Sequence, residues 1–123
     1  MLEAYSTNVS VAADAAIPFN NVTIQKGCTA VFSGAQTIEL NKCGVYMVEV
    51  DGVASASTTV QMVKNGVAQP QAQSTGTSFG FQTLVQVAKN NTSCCCSSPT
   101  LLQFTADAAV TMTNVNVVVT KVC

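Results

Sequence analysis

The sequence contains no arginine, no histidine and no tryptophan. Without histidine there is no imidazole base, no His–Ser or His–Cys catalytic pair, and no metal site with a histidine ligand. Without arginine the chain lacks the planar fork that grips phosphates and guanine edges. Charged residues make up only 9% of the 123 residues, against about 25% in an average domain. Five lysines and six acids give a net charge of −1, so we expect no nucleic-acid partner.

The sequence also lacks the segments that direct a chain into or across a membrane. Residues 1–6 carry no basic region followed by an apolar core, which a secretory signal has. No apolar run approaches the length needed to cross a bilayer. We therefore expect synthesis in the cytoplasm without export, no membrane partner, and cysteines that begin as thiols in a reducing compartment.

The residues that are abundant favour β-structure. Valine and threonine together number 34 of the 123 residues, and β-branched side chains suit a pleated, half-buried surface. Hydrophobic residues make up 48% of the chain, so its low charge does not indicate disorder. Because so few charges accompany so much apolar surface, we expect part of that surface to be buried against other copies of the chain.

Apolar and polar residues alternate along much of the chain, which is typical of strands. Along residues 45–53, for example, Tyr46 and Val48 fall on one face, and Glu49 and Asp51 fall on the other. We count eight to ten such antiparallel strands and no helix. Their number and spacing predict an all-β fold, a jelly-roll β-sandwich.

Turn and loop signals separate the strands. Asn65-Gly66 stands between two apolar runs and predicts a two-residue hairpin turn. The polar segments 69–78 and 89–99 are interpreted as loops. Residues 1–16 show no clean period and are interpreted as an N-terminal arm, so the predicted domain covers residues 17–123.

Three segments carry motifs in a recognisable order. Residues 40–48 read LNKCGVYMV, residues 60–66 read VQMVKNG, and residues 115–122 read VNVVVTKV. Residues 40–48 resemble the L…G-x-Y-x-V/I strand of the TNF/C1q-like jelly rolls. Residues 60–66 resemble the V-x-L-x-x-N-G segment of that family's bacterial and phage branch. Residues 115–122 resemble the family's closing strand. That branch includes the C-terminal domains of collagen-like spore-surface proteins. The resemblance covers about residues 17–122 and implies a compact homotrimer.

In that family three sandwiches pack around a threefold axis through apolar and aromatic side chains. The aromatic residues that we place in the protomer core or along such an axis are Tyr46, Phe79, Phe81 and Phe104. The sequence leaves both placements open for each of them.

The resemblance also implies a class of function. With no stalk and no secretion signal, this domain fits a phage virion protein, since virions assemble in the host cytoplasm. We expect a non-enzymatic structural protein of the capsid-decoration or head-fibre type, which its N-terminal arm attaches to a capsid or another virion protein. Two alternatives remain. One is a spore-coat or exosporium protein at the spore surface. The other is a module that binds a receptor or a carbohydrate through the loops at 69–78 and 89–99.

Cysteine is the one unusual residue, and it occurs at Cys28, Cys43, Cys94, Cys95, Cys96 and Cys123. No pair has C-x-x-C spacing, and three consecutive cysteines on an extended chain cannot all reach one ion. We therefore favour the absence of a metal or cofactor over a structural zinc site. Cys28 and Cys43 fit buried thiols. In oxidising surroundings the cysteines of the triplet 94–96 are candidates for disulfides. They could pair within a protomer, between protomers, or with Cys123.

The sequence contains no recognisable catalytic pattern. Its serines have no histidine partner, and neither an S-x-x-K motif nor a glycine-rich phosphate loop occurs. Glu49 and Asp51 share a strand face and form either a solvated outer face, which we favour, or a calcium site or acid pair. We expect no enzymatic activity.

Overall fold

The computed structural model describes residues 1–27, 29–87 and 95–122, and the side chains of all of these except 95–98. That part of the chain holds eight β-strands and no helix, and therefore no helix long and apolar enough to span a bilayer. The strands are β1 (Leu2–Val11), β2 (Asn21–Gln25), β3 (Ala30–Phe32), β4 (Ile38–Lys42), β5 (Gly44–Lys64), β6 (Val67–Val87), β7 (Cys95–Ala106) and β8 (Val110–Lys121).

The strands form two layers because the two longest, β5 and β6, belong to both. In the first sheet β2 pairs β1, β1 pairs β8, and β8 pairs residues 46–54 of β5. In the second sheet β3 pairs β4, β4 pairs β7, and β7 pairs residues 60–64 of β5. β6 follows β5 in antiparallel register through both sheets. The result is the antiparallel jelly-roll sandwich that the sequence predicts.

The core lies between the two sheets and is almost wholly apolar. Phe104 of β7 packs against Phe81 of β6 with ring centroids 6.3 Å apart and meets Phe19 edge-on at 5.9 Å. Tyr46 and Phe104 are completely buried, Phe79 is buried, and Phe81 is half-buried. Three of the four aromatic residues singled out in the sequence are buried in the protomer core, and Phe81 packs against that core while half-exposed. Whether any of them also contacts a threefold axis stays a prediction.

Residues 1–16 are not an arm leading into the domain, because β1 runs through the first sheet between β2 and β8. Ser6 is fully buried in this strand. Its Oγ donates to the Pro18 carbonyl and accepts from the Asn20 N–H, each at 2.8 Å. Asn8 has φ +51°, a conformation that asparagine adopts more readily than most residues. The buried residues are even-numbered before Asn8 and odd-numbered after it. These two irregularities hide the strand from a search for alternation.

The first sheet also bends in its central strands. Between Met112 and Asn114 of β8, an extra residue, Thr113, forms a bulge opposite β5. Gly52 of β5 lies beside this bulge. A Cβ at that position would collide with the Asn114 carbonyl oxygen and lie 2.8 Å from the Phe79 ring. The close approach of the two strands and the ring therefore requires glycine.

The polar segment 69–78 is a strand rather than the expected loop. It forms the first part of β6, where Gln73 pairs with Gln61 and Thr75 pairs with Thr59. The exposed glutamines and threonines supply no apolar alternation, which explains the wrong prediction. Gly76, with φ +142°, lies in the part of β6 where the strand passes from the second sheet to the first.

The turn between β7 and β8 is fastened to β5 by a group of hydrogen bonds. The Thr59 N–H donates to Asp107 Oδ1 at 2.8 Å, and the Thr58 hydroxyl donates to the same oxygen at 2.9 Å. The Ala108 N–H in turn donates to Thr58 Oγ1 at 3.3 Å. The Thr59 N–H, followed by the Thr58 hydroxyl, lowers the pKa of Asp107 from its ordinary value.

Candidate interaction surface

The outward-facing residues of the first sheet make one continuous surface, which we call the first-sheet face. The strand register sets its rows: Glu3 lies beside Val118, Val118 beside Glu49, and Glu49 beside Gln82. The face comprises Glu3, Tyr5, Met47, Glu49, Asp51, Gln82, Leu84, Asn116, Val118 and Thr120. It therefore combines three carboxylates with several large apolar side chains, and none of its members is a lysine.

An open groove with a volume of about 570 Å³ crosses this face next to β6. Its lining residues are Met47, Gln71, Gln82, Thr83 and Leu84. Gln82 Nε2 lies 2.9 Å from Met47 Sδ and donates to it, so these two side chains of the groove wall are in contact, although a thioether is a weak acceptor. Leu84 is 62% exposed, so the groove offers water an aliphatic surface that is better covered by a partner.

β6 forms the edge of both sheets, because β5 is its one strand partner in the part of the chain that the structure describes. This edge is 21 residues long and carries no charged residue. Proteins usually protect such edges with charges, prolines or bulges, since an open edge can pair with another chain. Pro70 protects only the first half of β6, and at the end of the second half Lys64 Nζ donates to the Gln86 carbonyl at 3.1 Å. Residues 79–85 remain an uncharged edge.

The carboxylates predicted to share a face do so. Glu49 and Asp51 are both exposed on the first-sheet face, and Glu3 lies in the same row as Glu49. Among the side chains that the structure describes, no three cysteine, aspartate or glutamate residues are grouped to hold a metal ion. The carboxylates give this face its negative charge beside the apolar groove.

The cysteines expected to form disulfides lie mostly outside the described residues. Cys94 and Cys123 are not described, and of Cys95 and Cys96 the structure describes only the backbone, at the start of β7. Cys28 also lies outside the described residues, whereas Cys43 is half-buried between β4 and β5. The disulfides therefore stay a prediction.

The sequence reasoning missed Met47 and Leu84 as candidate contact residues. One signal for Leu84 was present, because it is apolar yet falls out of phase with Phe79, Phe81 and Val85, the alternating residues of its strand. Single exposed apolar residues are ordinary, so this signal gains meaning only when the register places another apolar side chain, here Met47, beside Leu84.

The architecture defines the class of fold. Two five-stranded antiparallel sheets that share two long strands, in the orders β2-β1-β8-β5-β6 and β3-β4-β7-β5-β6, make a TNF/C1q-like jelly roll. The motifs at 40–48, 60–66 and 115–122 predict this fold, and the structure confirms it.

Particular solved structures share the fold over nearly the whole chain. The globular domain of a zebrafish complement 1qA protein superimposes with a TM-score of 0.73 at 7% identity, covering 99% of this chain and 96% of that one. The PRD1 vertex protein P5 gives 0.67 at 14% identity, covering 99% and 96%. Rabbit GITRL gives 0.65 at 9% identity, covering 100% and 95%. At these identities the likeness shows the fold alone. No protein-family profile and no curated protein matches the sequence.

Proposed function

We propose that this chain is a non-enzymatic structural protein that assembles as a homotrimer and forms part of a phage particle. The observation that carries the proposal is the pairing of two unprotected surfaces. An apolar groove around Leu84 lies on the first-sheet face, and an uncharged strand edge at residues 79–85 runs beside it. Both surfaces are more stable when another protein chain covers them, because an open strand edge has unpaired backbone groups and an exposed apolar groove is in contact with water.

A ring of copies covers both surfaces at once. The groove and the edge are different surfaces, so a contact between the edge of one copy and the face of the next is head-to-tail rather than self-matching. Head-to-tail contacts close into a ring when the rotation permits. The number three comes from the fold family, in which such sandwiches pack around a threefold axis. The charge-poor composition supports the same conclusion, because only 9% of residues are charged.

The virion assignment takes its support from the PRD1 vertex protein P5, a phage structural protein of the same fold. The residue chemistry agrees with a structural role. The chain has no histidine, and its exposed carboxylates Glu49 and Asp51 lie on a strand face rather than in an enclosed pocket. A TNF/C1q-like sandwich of this kind supplies surfaces for assembly rather than groups for catalysis.

Attachment to the particle takes a different route from the one that the sequence indicates. Because β1 is an inner strand of the first sheet, residues 1–11 are not available as a separate tether. Attachment therefore falls to a surface of the folded assembly, such as the outer face of the second sheet.

The experiment for the virion role uses particles released from the source culture and separated on a density gradient. We expect mass spectrometry to find this chain in the particle fractions, in constant ratio to the major capsid protein. Its presence only in the soluble fraction, with particles free of it, would remove the virion role and leave the trimer to be tested separately.

A further inference from the structure

The open edge of β6 presents backbone groups from every second residue. The Val45 carbonyl, which lies opposite Gln86 in the strand register, accepts from the Val122 N–H at 2.8 Å. The backbone groups of Val45 therefore face β8 rather than β6. Because the two kinds of pair alternate along an antiparallel ladder, the even-numbered residues within 80–86 direct their N–H and C=O groups away from β5, toward the open edge.

Side chains cap this edge at its two ends. Ser74 Oγ accepts from the Gly80 N–H at 3.2 Å, and Lys64 Nζ donates to the Gln86 carbonyl at 3.1 Å. Between the two caps, the edge-facing groups within 82–84 have no hydrogen-bond partner among the described residues, since β5 is the strand that pairs β6 there. The edge therefore offers a short run of open backbone groups with a cation at one end.

The ammonium group of Lys64 has no carboxylate beside it. In the part of the chain that the structure describes, its hydrogen bond goes to the neutral Gln86 carbonyl. Its strand partners, Val67 and Leu102, are uncharged. Lys64 thus brings a positive charge to the edge of β6, a strand that carries no charged residue of its own.

The first-sheet face carries the opposite charge. Glu49 and Asp51 are exposed there, and neither carboxylate has a hydrogen bond or an ion pair with another described residue. The third carboxylate of the face, that of Glu3, already accepts from the Thr23 hydroxyl at 3.1 Å. Glu49 and Asp51 are therefore the acidic groups of this face that remain available to a partner.

Apolar and charged groups have the same spacing on the two surfaces. On the edge, the carbonyl that holds Lys64 Nζ lies two residues along β6 from Leu84. On the face, Glu49 lies two residues along β5 from Met47. Two strand residues span about 7 Å. A contact that places Leu84 of one copy against Met47 of the next therefore also brings Lys64 of the first copy to Glu49 of the second.

We propose that Lys64 at the β6 edge of one copy forms an ion pair with Glu49 on the first-sheet face of the next copy. This ion pair rests on the homotrimer proposed above and orients its contacts. Charge complementarity across an interface fixes partner and register more than it adds affinity. Edge against edge would bring lysine to lysine, and face against face would bring carboxylate to carboxylate. Of these arrangements, the head-to-tail contact is the one that pairs opposite charges.

The first test reverses these charges in the full chain and measures its mass by light scattering after size exclusion. We expect Lys64→Glu to give single chains at micromolar concentration, because like charges then meet at every contact of the ring. Adding Glu49→Lys restores opposite charges and is expected to restore the trimer. Adding Glu39→Lys instead, on the second-sheet face, is the matched control and is expected not to restore it. Lys26→Glu, which changes an exposed lysine outside β5 and β6, is expected to stay trimeric.

The outcomes separate the ion pair from the trimer itself. A single-chain mass for the unaltered protein would remove the homotrimer and the ion pair with it. A trimer that persists in Lys64→Glu, or one that Glu49→Lys fails to restore, would overturn the ion pair and leave the homotrimer standing.

A second measurement uses the unaltered sequence and does not depend on the folding of variants. A water-soluble carbodiimide activates a carboxylate, and a lysine amine in contact with it forms an amide while the reagent leaves as a urea. Trimers reassembled from light and heavy isotope-labelled copies are treated in this way, digested and analysed by mass spectrometry. We expect peptides that join Lys64 of a light copy to Glu49 of a heavy copy. Trimers without such a link between copies, or with Lys64 joined to Glu39, would contradict the proposal.

Discussion

The two outer faces of the sandwich differ in chemistry although β5 and β6 contribute to both. The first-sheet face carries carboxylates beside the exposed side chains of Met47 and Leu84. The outer face of the second sheet consists largely of neutral polar residues, Thr59, Gln61, Gln73, Thr75, Gln103 and Thr105. Threonine and glutamine remain well solvated in water, whereas an exposed leucine beside a methionine does not. Leu84 on the first-sheet face is 62% exposed, whereas Leu101 on the outer face of the second sheet is 38% exposed, so the first-sheet face has the stronger physical reason to be covered by another copy.

The largest expected effect comes from removing β1, which supports the first-sheet face from within. Deleting residues 1–11 strips β8 of one of its two strand partners and removes Leu2 and Ala4, which are fully buried, from the core. We expect the truncated chain to lose its cooperative thermal transition and to aggregate. If residues 1–11 were a tether outside the domain, the truncated chain would instead unfold at the same temperature as the full chain, as circular dichroism would show.

Charging one leucine on each face separates the two faces directly. Leu84→Lys places a charge in the groove, and we expect it to convert trimers to monomers at micromolar concentration. Leu101→Lys is the matched control, since Leu101 lies on the second-sheet face opposite Glu39 and is 38% exposed. We expect this control to remain a trimer. Light scattering measures the mass of both variants. If only Leu101→Lys dissociated the trimer, the interface would lie on the second sheet, and the proposal for the first-sheet face would be wrong.

Two glycine-to-alanine variants compare the effect of one added methyl group on stability at the core side and at the outer side of the first sheet. Gly52→Ala forces a Cβ against the Asn114 carbonyl oxygen and the Phe79 ring, and overpacking of this kind costs about 1–3 kcal/mol. At Gly80 an added Cβ finds its nearest neighbour at an ordinary 3.5 Å. We expect Gly80→Ala to leave stability nearly unchanged in denaturant titrations. Equal losses for the two variants would contradict the close approach at Gly52.

The smallest expected effect concerns Asp107, whose hydrogen bonds to Thr59 and Thr58 hold its turn at the second sheet. Its pKa is lower in the folded chain than in the unfolded one, so its contribution to stability is complete above about pH 4. That contribution is lost as the pH falls through the lowered folded value. Asp107→Asn removes this titration, so we expect a flatter stability curve at acid pH. Parallel curves for the variant and the unaltered chain would rule out this linkage.

Much of the fold could be predicted from the sequence because most strands bury one regular face. Tyr46, Val48 and Val50 are buried while Glu49 and Asp51 are exposed, as their alternation predicts. The Asn65-Gly66 turn also forms, with both residues at positive φ, and the jelly-roll class follows from these regular strands.

The parts that could not be predicted are those where the alternation fails for a local reason. In β1 a buried serine and a left-handed asparagine interrupt the pattern. In the first half of β6 the outer face is neutral and polar, so the strand resembles a loop. The candidate surface could not be predicted because one apolar residue such as Leu84 does not change the alternation of its strand. Only the strand register shows which side chains lie next to it.

The central claim is that the first-sheet face and the edge of β6 cover each other in a homotrimer. Light scattering after size exclusion, with and without reductant, tests it most directly. Three chains of 12.7 kDa make about 38 kDa, and we predict this mass in both buffers for the unaltered protein and a single-chain mass for Leu84→Lys. A single-chain mass for the unaltered protein in both buffers would contradict the account.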